Sequence, residues 1–189
     1  MANLIGIISL ISIILMFAIP ASSTRHQHKK EKDGELRDLC SKTHDPDLCW
    51  KLLKSERSKF HTDTKGVVEV SIDLAKEKAK ETKDKLSRLG EESKNEKLKV
   101  KYFSCKKNYD DAIRDLNEAK EKLRKKEYYS GMIPVLVDDV IDEVKSCNND
   151  FDNGAYDPAR IQKMNVEFGV YVDLVKVAVD CLLKEKRDR

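Results

Sequence analysis

The chain has 189 residues, of which 38% are charged, well above the ~25% of ordinary globular proteins. Its 37 basic and 34 acidic residues are finely interspersed and leave a net charge of +3, a pattern that argues against a nucleic-acid-binding protein and is typical of solvated helical surfaces. Seven glycines and four prolines are few for a turn-rich β-sandwich, so we predict an all-α fold.

The first 23 residues have the pattern of a secretory signal peptide. Residues 4–19 form an uncharged apolar run, Pro20 breaks it, and small residues follow at 21–23. The run is shorter than the ~20 residues of a membrane-spanning helix, although an uncleaved anchor remains the alternative. We therefore expect a signal peptide over 1–23, a flexible tail over 24–34, one helical domain over 35–189, and no membrane contact after cleavage.

Secretion changes how the five cysteines are interpreted, because thiols in an oxidising compartment pair. Spacing alone does not choose among the possible pairings of Cys40, Cys49, Cys105, Cys147 and Cys181. Two short helices, over about 35–42 and from Pro46 onward, should form an αα-hairpin, with Asp45 capping the second helix. Cys40 and Cys49 lie near the open side of this hairpin and can bridge it.

Two long amphipathic helices are predicted next. The first spans about residues 63–89 and should end at Gly90; its apolar stripe has a heptad spacing and contains Val68, Ile72, Ala75, Ala79, Thr82, Leu86 and Leu89. The second should begin at Ser93, with Glu96 completing a capping box; its stripe contains Leu98, Tyr102, Cys105, Tyr109, Ala112, Leu116, Ala119 and Leu123.

Two further helices complete the predicted fold. The third, over about 132–146, has the stripe Ile133, Val137, Val140, Val144 and Cys147. The fourth should be capped by Asp157 and start at Pro158, with the stripe Ile161, Met164, Phe168, Tyr171, Val175, Ala178 and Leu182. These stripes predict an up-down-up-down four-helix bundle preceded by the disulfide-bridged hairpin. Facing stripes favour a Cys105–Cys147 bridge and leave Cys181 as a partly buried free thiol.

No catalytic signature is present, so we predict a non-enzyme without cofactor or metal. His26 and His28 lie in the polar tail, and His44 and His61 are isolated. The third helix carries an acidic patch that is either a solvated face or a contact for a basic partner: Asp138, Asp139, Asp142 and Glu143. Aromatic side chains at positions 50, 60, 128 and 129 are either contact anchors or core residues.

The order of these features resembles the plant invertase/pectin methylesterase inhibitor family. The residues that carry the resemblance are Cys40 and Cys49, the run Cys105, Tyr109, Ala112 and Leu116, and Cys147 followed by Asp150-Phe151. The resemblance implies the pairs Cys40–Cys49 and Cys105–Cys147 with a free Cys181. It also implies a secreted inhibitor that occludes the active site of a pectin methylesterase or an acid invertase in a 1:1 complex, in the apoplast or the vacuole.

Two segments depart from the family pattern. Residues 135–140 replace a Ser-Ala-Ala-Leu-like segment, and the nearest match to the Pro-Lys-Phe tripeptide of invertase inhibitors is Ser58-Lys59-Phe60. The second departure favours a pectin methylesterase over an invertase as the target. The alternative function is a non-inhibitory structural or ligand-binding bundle derived from the inhibitor scaffold.

Overall fold

The structure, a computed structural model, describes residues 33–60, 63–151 and 157–188. The predicted signal peptide, most of the predicted tail, and His26, His28 and His61 lie outside these residues. Among the helices of the described ranges, none combines the length and the hydropathy that a bilayer crossing requires.

The described residues form six α-helices without a strand, which confirms the all-α prediction. Residues 33–41 are helical (α1). The other helices are α2 (Pro46–Glu56), α3 (Thr64–Glu92), α4 (Glu96–Arg124), α5 (Met132–Asn149) and α6 (Ile161–Arg187). Short 3₁₀ turns follow α2 at Arg57–Lys59 and precede α5 at Tyr128–Ser130.

Helices α3 to α6 form the predicted up-down-up-down bundle. Helix α3 packs against α4 and α6, and α5 packs against the same two helices, so each helix has two neighbours around a shared core. The four predicted stripes supply that core; most of their residues are buried, while Leu89, Leu98, Val144, Met164 and Tyr171 are half-buried at its margin. Helix α2 packs on α6. The 3.5-residue period of the sequence therefore identifies the interior correctly.

Two disulfides link the helices. Cys40 and Cys49 are joined across the hairpin with Sγ atoms 2.04 Å apart, and Cys105 joins α4 to Cys147 of α5 with Sγ atoms 2.09 Å apart. Both bridges are buried. Cys181 is a free, half-buried thiol on α6.

Gly90 does not end α3 as predicted, because the helix continues through it to Glu92. A Cβ atom at Gly90 would lie 2.9 Å from the Phe103 ring of α4. Glycine at this position therefore lets the aromatic ring contact the backbone of α3. This close contact explains a glycine inside a helix, where its helix propensity is poor.

Two predicted helix starts also differ from the structure. Asn95, and not Ser93, caps α4: its Oδ1 accepts from the backbone N–H groups of Lys97 (3.0 Å) and Leu98 (3.2 Å). Helix α6 begins at Ile161 and not at Pro158, although the Asp157 carboxylate still accepts from the N–H of Ile161 at 2.8 Å. Serine and asparagine are both good caps, so sequence alone does not rank Ser93 against Asn95, and helix boundaries are uncertain by a few residues.

Candidate protein-binding surface

Apolar and acidic side chains lie together on the solvent-facing side of α5. Met132 and Val135 are exposed in its first turn, with Val135 at 50%. Asp138, Asp139 and Asp142 follow on the same side and are also exposed. Neighbouring exposed apolar side chains rimmed by charged ones are a feature of protein-binding surfaces. This juxtaposition favours a contact surface over a solvated face.

Half of the residues in the segment that departs from the family pattern lie on this surface. Within the segment 135–140, Leu136, Val137 and Val140 are buried in the core, while Val135, Asp138 and Asp139 are exposed. The unusual segment therefore gives the exposed side of α5 a valine and two aspartates, while the residues that it places in the core are all apolar.

Beside this face, α5 and α6 enclose an apolar groove of about 210 Å³. Its walls are aliphatic and its rim is polar; the lining residues are His44, Asp45, Ile141, Val144, Lys145, Val166, Gly169, Val170, Val172 and Asp173. Gly169 leaves space in the groove, since an added Cβ atom there would meet no other atom within 4 Å. Val166 stands at the edge with 59% of its surface exposed.

Polar contacts lie at the edges of the groove, two of them between different elements and one within α5. His44, in the turn of the hairpin, has its Nδ1 atom 2.6 Å from the Asp173 Oδ2 atom of α6. Lys176 of α6 pairs with Asp138 of α5, and Lys145 pairs with Asp142 at 2.9 Å. The sequence predicts that His44 is a surface or packing residue. In the structure it is a surface residue that connects the hairpin turn to Asp173 at the rim of the groove.

The aromatic candidates lie mostly in the core. Phe60 is 3% exposed and Tyr128 is also buried, so neither is a contact anchor. Trp50 is half-buried, with the Arg37 guanidinium 4.0 Å from the centre of its ring. Within the described residues, no group of three His, Cys, Asp or Glu side chains could hold a metal ion.

A buried polar network supports the C-terminal half of α5. Asn165 of α6 is 1% exposed, and its Oδ1 atom accepts from the Tyr109 hydroxyl at 2.8 Å. Its Nδ2 atom donates to Asn148 Oδ1 at 2.7 Å and lies 3.2 Å from Cys147 Sγ. Burial raises the pKa of Tyr109, which keeps this hydroxyl protonated as a donor. The apolar stripes do not predict this network, because Asn148 and Asn165 are polar and their positions in the sequence resemble those of surface residues.

Glu143 is the one member of the predicted acidic patch that faces α4. In the orientation that pairs both amide atoms, Asn108 Nδ2 donates to Glu143 Oε2 at 3.2 Å, and Asn108 Oδ1 accepts from the Cys147 N–H at 3.0 Å. The four-residue patch is therefore divided, with three aspartates on the exposed face and Glu143 at the α4–α5 contact.

We expect Glu143→Gln to raise the melting temperature at neutral pH. Burial raises the pKa of Glu143, and the charge of Asp111 raises it further. The native state therefore keeps this proton to higher pH than the unfolded chain, so the stability contributed by Glu143 decreases as pH rises through the native pKa. Melting curves of the variant and the wild type should differ most near pH 7 and converge below about pH 4, where the unfolded carboxyl is also protonated.

A melting temperature below that of the wild type at pH 7 would contradict this assignment. Asp111→Asn is the matched comparison. The pKa of Asp111 is held below its ordinary value by hydrogen bonds from Lys107 and Arg114, which outweigh its burial. The Asp111→Asn variant should therefore be less stable than the wild type at neutral pH, whereas Glu143→Gln should be more stable.

Comparison with known proteins agrees with the geometry. The family model for plant invertase/pectin methylesterase inhibitors matches residues 35–182. A pectinesterase inhibitor of Actinidia deliciosa is 27% identical over 172 residues, covering 91% of this chain and 92% of the relative. Pectinesterase inhibitor 2 of Arabidopsis thaliana is 23% identical over 148 residues, covering 78% and 82%.

Solved structures share the fold. The crystal structure of a mutant form of a pectin methylesterase inhibitor from Arabidopsis superimposes with a TM-score of 0.68 at 20% identity, covering 77% of this chain and 95% of that one. A second crystal structure, of a pectin methylesterase inhibitor from Arabidopsis thaliana, has a TM-score of 0.59 at 21% identity, covering 79% and 96%.

Proposed function

Because the chain belongs to the plant invertase/pectin methylesterase inhibitor family, we propose that it is a secreted protein that inhibits a pectin methylesterase by covering that enzyme's substrate cleft. The two curated relatives are both named pectinesterase inhibitors. They are named as inhibitors and not as catalysts, and we assign the chain the same non-enzymatic role. The partner is accordingly a protein, bound in a 1:1 complex.

The observation that carries this proposal is the exposed apolar and acidic face of α5 beside the α5–α6 groove. Inhibition by occlusion needs a surface that keeps its shape, since ordering a flexible surface on binding costs free energy. Cys105–Cys147 joins α5 to α4, and the Asp138–Lys176 pair joins α5 to α6. The face is thereby held in place before any partner arrives.

An acid invertase is the second candidate target within the family. The segment nearest to the invertase-linked tripeptide is Ser58-Lys59-Phe60, and its phenyl ring is buried. Lys59 pairs with Glu56 at 2.8 Å. This segment presents no exposed aromatic side chain, and its departure from the tripeptide argues against an acid invertase as the target.

The place of action follows from the first 23 residues. Their composition is that of a cleaved signal peptide, and disulfides persist in the oxidising compartments that such a peptide leads to. We propose the plant cell wall as the site of action, with the vacuole as the alternative.

Titration of a plant pectin methylesterase with the protein purified from secreting cells tests this function. We expect enzyme activity to fall in proportion to added protein and to vanish near equal molar amounts, while an acid invertase treated in parallel keeps its activity. If neither enzyme lost activity at any apoplastic or vacuolar pH, the inhibitor function would be wrong, and the non-inhibitory bundle would be favoured.

A further inference from the structure

We propose that the α5–α6 groove is an anchor pocket that receives one aliphatic side chain of the inhibited enzyme, presented by a segment that also carries lysine or arginine. This inference rests on the proposed inhibition of a pectin methylesterase and names the part of the interface that provides affinity. It concerns the groove defined above, from Ile141 and Val144 on α5 to Val166 and Val170 on α6.

The size and lining of the groove favour a single side chain. A volume of about 210 Å³ is below the ~300–1,000 Å³ of pockets that hold small-molecule ligands. Its walls are aliphatic, and Val170 and Val172 are buried in its floor. Small apolar depressions at interfaces receive anchor side chains, which provide a large share of the binding energy.

The charges around the groove select the rest of the partner segment. Acidic side chains outnumber lysines at the groove by three to two: Asp45 and Asp173 line it together with Lys145, and the Asp138–Lys176 pair lies beside it. This excess is local, because the whole chain has a net charge of +3. An acidic rim attracts lysine and arginine and repels carboxylates, which raises the association rate for a basic segment.

The same charges disfavour a second copy of this chain as the occupant. In a symmetric dimer the same patch lies on both sides of the interface. The carboxylate excess of one groove would then lie in the same interface as that of the other, and like charges that meet in an interface are unfavourable. A foreign basic segment avoids this repulsion.

The pocket is also preorganised. Its aliphatic walls belong to packed helices, and two contacts between elements lie at its rim, His44 with Asp173 and Asp138 with Lys176. Gly169 provides the opening, because any larger side chain at this position would project into the space. An anchor can therefore enter without rearrangement of the helices, which limits the entropic cost of binding.

Filling the groove tests the proposal. We expect Gly169→Leu to weaken inhibition of the pectin methylesterase by about tenfold or more, the effect of losing one hot-spot contact. Gly34→Leu is the matched control, since Gly34 is also helical and an added Cβ atom there also meets no atom within 4 Å. We expect this control to inhibit like the wild type.

A second pair of variants keeps the proposal falsifiable if Gly169→Leu folds poorly. Val166 and Val100 are both exposed helical valines, at 59% and 68%. Val166→Lys should weaken inhibition about tenfold, because it adds a cation beside the basic partner segment, whereas Val100→Lys should leave inhibition unchanged.

The outcomes separate this inference from the proposed function. If the wild type inhibits and both groove variants inhibit equally well, the anchor pocket is wrong while the inhibitor function stands. If the wild type does not inhibit, the inhibitor function fails, and the pocket loses the partner on which it depends.

Discussion

Replacing Cys105 and Cys147 together by alanine is expected to lower the free energy of unfolding by about 4 kcal/mol, as loop-closure entropy predicts for a bridge that spans 42 residues. Both sulfur atoms are buried, and alanine adds no unpaired polar group to the core. Because α5 then loses its covalent link to α4, inhibition should weaken along with stability.

Urea unfolding of the oxidised wild type and of the double variant measures this loss. The double replacement of Cys40 and Cys49 is the matched comparison, and its nine-residue separation predicts a smaller loss of about 2.7 kcal/mol. A loss below about 1 kcal/mol for the Cys105/Cys147 pair, or the reverse order of the two variants, would show that packing alone holds α5 in place.

The second large effect is expected for Asn165→Ala, which should cost about 3 kcal/mol of stability. The change removes the Asn165 acceptor at 2.8 Å from the buried Tyr109 hydroxyl, which keeps only its hydrogen bond with Thr82, and it removes the donor to Asn148. Unpaired buried polar groups cost about 1–3 kcal/mol each, and the vacated volume adds to the loss.

Tyr109→Phe separates the hydrogen bond from the packing. Phenylalanine keeps the ring, whose centre lies 5.1 Å from that of Phe168, and removes only the hydroxyl. We expect it to cost about 1 kcal/mol, and the double variant to cost less than the sum, because the two residues share one hydrogen bond. Strictly additive losses in thermal or urea unfolding would contradict a shared network.

The sequence is most informative where one physical rule acts alone. The heptad stripes identify the core of α3 to α6, since burial of apolar residues dominates the packing of long helices. Asp45 is also identified as the cap of α2, where its carboxylate accepts from the Leu48 N–H at 2.9 Å. Here a single aspartate precedes a proline, and no other residue competes for the role.

The sequence is less informative where two rules conflict or where the fold brings distant residues together. Gly90 satisfies the rule for a helix end, yet its function is to admit the Phe103 ring from the next helix. Asn165 resembles a surface residue until Tyr109 and Asn148 are placed around it. The groove depends on segments 129 residues apart, as in the contact of His44 with Asp173, which no local pattern contains.

Hydrogen–deuterium exchange of the protein, free and in complex with a pectin methylesterase, locates the inhibitory face directly. We predict that binding slows exchange in the exposed turns of α5 from Val135 to Asp142 and in α6 around Val166 and Gly169, and leaves the outer side of α3 unchanged. Slower exchange confined to α3 and α4, with α5 and α6 unaffected, would place the contact elsewhere and contradict the assignment of this face.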